Sequence, residues 1–264
     1  MKKRVKELLA DADKKTLTVY FILRFLVLIT LIIQVIHQNW QDVFLCFLTL
    51  ILFFIPFIID KRFKIDLPTP LEIIILLFIF SAEILGEIQN FYGLFHYWDT
   101  ILHTLNGFLC AAIGFSLIDI LNRSDKLHIR LSPIYVALVA FCFSMTIGVL
   151  WEFFEFGADQ LFNLDMQKDR IVTQISSVTL HPEHKNIPII IDNIESTTIT
   201  YLDGNEVKQQ IISGGYLDIG ILDTMKDLIV NFIGAVVFSY LGYLYIRNRD
   251  KYKLAENFIP VVKK

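Results

Sequence analysis

The feature that most constrains this chain is a series of apolar runs, each long enough to cross a lipid bilayer. Crossing takes ~20 consecutive apolar residues in helical form, because every backbone polar group inside hydrocarbon must be satisfied within its own segment. Leu17 to Ile36 meets that requirement with Arg24 as its only charged residue. Comparable runs at about 42–60, 68–88, 98–122, 133–156 and 220–246 bring the expected number of spans to six. A hydrophobic content of 55% agrees, being too high for an ordinary soluble domain. The basic start Met1-Lys-Lys-Arg-Val-Lys resembles a signal peptide, but the run after it is too long for an h-region and lacks an Ala-x-Ala site. It reads as an uncleaved first span.

Basic residues set the orientation, because short cytoplasmic loops retain Lys and Arg. Lys2, Lys3, Arg4, Lys6, Lys14 and Lys15 precede span one, and Lys61, Arg62 and Lys64 separate spans two and three. Arg123, Lys126 and Arg130 separate spans four and five, and Arg247, Arg249, Lys251 and Lys253 follow span six. The alternate connections, His37–Asp42 and Gln89–Tyr97, contain neither residue type. The expected architecture is an all-α transmembrane bundle of six helices in a bacterial plasma membrane, with both termini cytoplasmic. It divides into a cytoplasmic segment (1–16), spans one to five (17–156), an extracellular β-rich cap (157–219), and span six with its tail (220–264). The cap expectation rests on β-branched runs at Ile171–Leu180, Ile187–Ile191, Ser196–Leu202 and Val207–Ile212, with Asp203-Gly-Asn as a hairpin turn.

Against this apolar background, four runs carry polar stripes. Trp98-Asp-Thr-Ile-Leu-His-Thr-Leu-Asn-Gly107 places Asp99, His103, Asn106 and Gly107 on one helical face. The others are Glu83/Glu87, Glu152/Glu155/Asp159 and Asp223/Asp227/Asn231. At ~1.5 Å rise per residue, His103 lies about 30 Å above Arg123, Asp227 about 30 Å above Arg247, and Glu152 roughly 28 Å above Pro133. All four stripes then share the outer leaflet and headgroup zone. The pairing of Glu83-x3-Glu87 with Asp99-x3-His103, and of Glu152-x2-Glu155 with Asp223-x3-Asp227, also hints at two helical hairpins of one design.

So many carboxylates with few basic partners cannot all stay ionised at low dielectric. Either some are protonated or a cation supplies the missing charge. Oxygen ligands with one imidazole favour Mg²⁺, Mn²⁺ or Ca²⁺ over tetrahedral zinc. The expected metal set is Asp99, His103, Glu152, Glu155, Asp223 and Asp227, with Asn231 contacting the bound group and orienting its neighbours. Without a metal, His103 with Asp99 or Glu152 forms a carboxylate–imidazole acid–base pair. A fixed interhelical hydrogen-bond network would use the same residue types without chemistry. Cys46, Cys110 and Cys142 lie within apolar runs and read as small core residues. A net charge of −3 without a basic, aromatic-rich patch excludes nucleic acid as a partner.

Tyr97-Trp-Asp-Thr-Ile-Leu-His-Thr-Leu-Asn-Gly107, Val149-Leu-Trp-Glu-Phe-Phe-Glu-Phe156 and Asp223-Thr-Met-Lys-Asp-Leu-Ile-Val-Asn-Phe-Ile-Gly-Ala235 resemble the uncharacterised polytopic bacterial membrane proteins of YjdF type. More remotely, Asp-x3-His and Asp227-x3-Asn231-x2-Gly234 resemble VanZ-type proteins, linked to glycopeptide-antibiotic resistance. This chain has Glu152-x2-Glu155 where VanZ-type chains tend to have Glu-x2-Gln, and its β loop is additional. The resemblance implies an integral membrane protein with a site at these motifs and specifies no reaction. The leading expectation is an outer pocket for a divalent cation or for the head group of an envelope lipid or lipid-linked precursor. The rivals are a cation- or proton-coupled transporter and a non-catalytic partner or sensor protein.

Overall fold

A computed structural model describes residues 14–63, 65–122, 131–249, 251–252, 258–259 and 261–262. Most of the expected cytoplasmic segment, before Lys14, and the basic connection 123–130 lie outside the described residues. Helix α1 covers Lys14–Ile36, α2 Trp40–Leu52, α3 Ile55–Phe63 and α4 Thr69–Phe80. A π-helical stretch, Ser81–Ile88, continues α4, and the short α5 spans Phe91–Leu94. The long helices α6 (Trp98–Asn122), α7 (Pro133–Phe162) and α8 (Ile221–Arg247) follow. Among the described residues, five helical segments are long and apolar enough to cross a membrane: Lys14–Ile36, Trp40–Ile59, Trp98–Asn122, Pro133–Phe162 and Ile221–Arg247.

Two of the expected spans depart from a simple α-helix. Span two breaks after Leu52 because Pro56 has no N–H to offer the Leu52 carbonyl, and its ring clashes with that carbonyl. The chain resumes as α3 after two turn residues. Run 68–88 begins as α4, with Pro70 in its first turn, and widens at Ser81, where the Gln89 N–H reaches back five residues to the Ile84 carbonyl at 3.0 Å. Such π-helical turns are uncommon and cluster at functional segments. Helix α7 runs to Phe162, past the expected end of span five.

The chain forms two bodies, residues 1–151 with 227–264, and Glu152–Lys226; their boundaries fall inside α7 and α8. In the first, Leu71, Ile75, Leu76 and Ile79 of α4 pack with Leu23 and Val27 of α1 and with Cys46 of α2. A second cluster joins Ala111 and Phe115 of α6 to Val136 and Ala140 of α7 and to Ala235 and Phe238 of α8. Small residues at these crossings let helices approach closely, which replaces the hydrophobic driving force that lipid cannot supply. Phe21, Phe25, Ile32 and Ile36 of α1 are exposed, as expected where the surrounding solvent is hydrocarbon. Toward the other end of the first body, Arg249 donates to Asp119 at 3.1 Å, and the Arg24 guanidinium covers the rings of Tyr20 and Phe54 at 4.7 and 4.6 Å. Asp119 and Arg24 thereby have partners suited to a low dielectric.

In the second body, the expected strands form separate antiparallel two-stranded ladders. Strand β2 (Ile171–Val172) pairs with β7 (Tyr216–Leu217), and β3 (Ile175–Ser177) with β4 (Ile189–Ile191). Strand β5 (Ser196–Asp203) pairs with β6 (Glu206–Ser213) in the longest ladder. Gly204, at φ +64°, opens the two-residue turn that the Asp-Gly-Asn signal predicts. Run 171–180 is split, its last three residues forming a 3₁₀ turn. In the first body, β1 (Ile65–Asp66) pairs with β8 (Val261–Val262).

The start of α8 is held by Asp218, whose carboxylate accepts N–H groups from Arg170 (2.8 Å), Gly220 (3.3 Å) and Leu222 (2.8 Å). Burial alone raises this carboxyl, but those three donors and the charge of Arg170 outweigh it and hold its pKa below the ordinary carboxylate value. A carboxyl depressed in the folded state contributes stability above its unfolded pKa of ~3.9, and that contribution is lost as pH falls through the lower folded value. Asp218→Ala is expected to cost about 1–2 kcal/mol at neutral pH, in the range of a lost helix cap. It should also flatten the acid limb of a stability–pH curve, followed by thermal melts between neutral and strongly acidic pH.

Candidate functional site

Helix α6 carries Asp99 and His103 one turn apart, so both side chains project from one face. Asp227 of α8 meets them. His103 Nε2 lies 3.4 Å from Asp99 Oδ1 and 3.7 Å from Asp227 Oδ2. One ligand atom from each residue falls within 4.8 Å of the other two. The Asp227 side chain is 2% exposed, whereas His103 and Asp99 retain 14% and 19%, so the group is enclosed on the α8 side and open on the α6 side.

Glycine makes this convergence possible. A Cβ at Gly107 would lie 2.0 Å from the Asn231 carbonyl oxygen, and one at Gly234 1.9 Å from the Thr104 carbonyl oxygen. The α6 and α8 backbones therefore touch, and only glycine fits at the two contact points. A polar belt continues from the crossing. Asn106 Nδ2 donates to Asn231 Oδ1 at 3.0 Å, Asn231 Nδ2 approaches Met145 Sδ at 3.6 Å, and Ser144 Oγ donates to the Gly107 carbonyl at 2.7 Å. Gly148 makes room for the Asn231 amide, since a Cβ there would sit 2.7 Å from its nitrogen. The belt fixes the α6–α7–α8 register in the first body, with Asn231 1% exposed. Ser144 and Met145 give no sequence signal, being a lone hydroxyl and a thioether within an apolar run.

Chemically, the Nε2 distances exceed a good N–H···O hydrogen bond. Three donor atoms spaced in this way are compatible with the first shell of a cation, where ligands about 2.1–2.5 Å from the metal lie about 3–5 Å from one another. Two carboxylates and one imidazole form a hard, mainly oxygen donor set.

The other expected site residues lie in the second body or on α4's continuation. Glu152 and Glu155 are buried on α7. Asp223 accepts the Lys168 N–H at 3.0 Å and pairs with the Arg170 guanidinium at 3.1 Å. Asp159 accepts N–H groups from Met166 and Gln167 at 2.7 and 2.9 Å, which makes it a loop-organising residue. Glu83 is buried in the π-helical stretch. The group brought together within the first body is Asp99, His103 and Asp227.

Among the described residues, five bilayer-length apolar helices, two of them joined by glycine contacts beside a buried polar group, mark an integral membrane protein of the helical class. The chain belongs to the family described as "Predicted membrane protein (DUF2238)", which matches residues 18–248. It is also similar to an uncharacterized protein of Thermotoga maritima, 27% identical over 108 residues, covering 41% of this chain and 54% of that relative. The chain thus spans about half the length of the curated relative it matches. No solved structure matches.

Proposed function

We propose that this is a bacterial plasma-membrane protein whose Asp99–His103–Asp227 cluster binds a divalent cation of the Mg²⁺, Mn²⁺ or Ca²⁺ class. Through that cation it acts on, or holds, the anionic head group of an envelope lipid or lipid-linked precursor. The observation that carries the reading is the convergence of three ligand atoms from two helices within 4.8 Å. A cation there would be held by the Asp99 and Asp227 carboxylates and His103 Nε2, would offset the charge of both carboxylates, and would supply Lewis-acid attraction for a phosphate oxygen. The topology within this reading has six crossings, with α4 and its π-helical continuation as the sixth, both termini inside, and the β ladders outside. The distribution of Lys and Arg supports it, as do the motif likenesses to YjdF-type and VanZ-type proteins. Glu152 and Glu155, as buried carboxylates, are further acid–base candidates, and Glu152→Gln is the companion variant.

A transporter reading requires a polar path continuing through the bundle. Beyond the Asn106–Asn231 belt, α6 and α8 pack Ala111, Phe115, Ala235 and Phe238 against one another. Among the described residues, only the small hydroxyls of Ser116, which donates to the Ala112 carbonyl of its own helix, and Ser239 are buried beside them, and this favours a one-sided site.

The test is Mn²⁺ titration of the full chain in lipid nanodiscs, followed by electron paramagnetic resonance. One tightly held Mn²⁺ per chain is expected, with His103→Ala weakening it by about 10–100-fold or more, since even outer-shell partners of a metal matter by that much. A folded protein without saturable Mn²⁺ binding contradicts the cation reading and leaves the cluster as a hydrogen-bond network.

A further inference from the structure

Arg24 is the only charged residue between Leu17 and Ile36, and at ~1.5 Å per residue it lies about 10 Å inside that apolar run. A charge at such a depth persists only where something answers it. The first body answers it in part. The Arg24 guanidinium lies over the ring of Tyr20 on its own helix, at 4.7 Å, and over that of Phe54 in the turn after α2, at 4.6 Å. Ring attraction offsets some of the charge, but the N–H donors of the fork still require acceptors. Nε is buried and meets none. The two terminal nitrogens, which carry the remaining donors, are not closed off in that way.

A second unmet donor lies on the same stripe. Thr16, Tyr20 and Arg24 recur at intervals of four and so share one face of α1. Thr16 is 3% exposed, and its hydroxyl has no hydrogen-bond partner. Helical side chains point back toward the N-terminus, and the contact with Tyr20 shows Arg24 doing so, toward Thr16 and the exposed Lys14 and Lys15. The missing piece is an acceptor that carries negative charge on several oxygens.

The surroundings identify its source. Phe21, Phe25, Leu28 and Ile32 form the adjoining stripe of α1 and are all exposed, as is Phe54. The niche therefore opens on the side that meets hydrocarbon, where phosphate arrives only as part of a lipid. We propose that Arg24, Tyr20 and Phe54 form a phospholipid site. The phosphodiester accepts charge-assisted hydrogen bonds from the terminal nitrogens of Arg24, and Thr16 supplies the next donor on the stripe. The acyl chains of that lipid lie along Phe25, Leu28 and Ile32, and Lys14 and Lys15 favour an anionic head group.

The test is native mass spectrometry of the full chain in detergent micelles, with EDTA present so that no divalent cation bridges protein and lipid. One molecule of added dioleoyl phosphatidylglycerol should be retained per chain. Dioleoylglycerol has the same acyl chains without phosphate, and inorganic phosphate has no chains; each should be retained at least about tenfold less. Arg24→Gln should lower phosphatidylglycerol retention about tenfold or more, and Arg24→Lys, charged but without the planar fork, should fall between it and wild type. Phe54→Leu keeps the charge and removes a ring, and should weaken retention by about 2–5-fold. Arg247→Gln is the control, because Arg247 is exposed and already bonds the Tyr243 hydroxyl at 3.1 Å. Unchanged retention in both Arg24 variants, or an equal loss in Arg247→Gln, would overturn the inference. So would retention of dioleoylglycerol or of inorganic phosphate as strong as that of phosphatidylglycerol. None of these outcomes depends on the Asp99–His103–Asp227 cluster.

Discussion

A chain carrying Gly234→Val is expected to lose most of its membrane abundance, and any surviving protein should bind no Mn²⁺. Even the methyl of alanine at this position would lie 1.9 Å from the Thr104 carbonyl oxygen, and a backbone atom cannot rotate away as a side chain does. Overpacking a core typically costs about 1–3 kcal/mol. Here the intrusion parts two helices along their contact, so the cost should reach or exceed the upper end of that range. Separation of α6 from α8 also stretches the 3.0 Å bond between Asn106 and Asn231 and moves Asp227 away from His103. Gly107→Val should act in the same way through the Asn231 carbonyl, 2.0 Å from the new Cβ. The contrasting substitution is Gly157→Ala in α7, where a Cβ meets nothing within 4 Å. It should stabilise by about 0.5–1 kcal/mol, the usual preference for alanine over glycine within a helix. Quantitative immunoblots of membrane fractions and melts in nanodiscs give both results. Equal abundance of Gly234→Val and wild type would mean that the helices do not cross as described.

Asp227→Asn has the second large expected effect, and it separates binding from folding. The side chain is 2% exposed, and the substitution keeps its shape while removing its charge. Asp99 and Asp227 bring two carboxylates within 4.8 Å of one another at low dielectric, so removing one charge relieves their repulsion and the metal-free variant should be as stable as the metal-free wild type, or more so. Added Mn²⁺ should then distinguish them. A ligand present at 100 times its dissociation constant stabilises the folded state by about 2.7 kcal/mol. Wild type should therefore melt several degrees higher with Mn²⁺, while Asp227→Asn should show little or no shift. A variant that unfolds without metal and shows the wild-type shift with it would assign Asp227 to structure alone. Asp99→Asn, at the more exposed corner of the cluster, should give a smaller loss of the same kind.

Much of this molecule can be read from residue order because hydrocarbon imposes a length rule and few alternatives. The apolar runs at 17–36, 98–122, 133–156 and 220–246 each became one helix, and Asp203-Gly-Asn became the hairpin turn. The break at Leu52 had its signal in Pro56, four residues on, although hydropathy alone runs continuously through it. The π-helical stretch has no comparable signature; within it Gly86 packs against the ring of Tyr92, where a Cβ would lie 2.4 Å away. In the site, spacing puts Asp99 and His103 on one face and offers Asp227 among several acids across helices, and these are the three that lie together. Spacing could not separate Asp223 from Asp227, which lie one turn apart on the same helix. Asp223 instead joins Lys168 and Arg170, residues some distance back in the chain that fold onto the start of α8. The Ser144 and Met145 contacts were equally illegible, because a belt of this kind depends on helix rotation about its axis, which an evenly apolar run does not encode.

The most direct measurement is anomalous diffraction at the manganese edge from crystals of the full chain grown with Mn²⁺. One peak is expected, within about 2.3 Å of a carboxylate oxygen of Asp99, of Nε2 of His103 and of a carboxylate oxygen of Asp227. Well-ordered side chains at those three positions with no anomalous peak between them, at Mn²⁺ concentrations that saturate ordinary sites, would contradict the cation site.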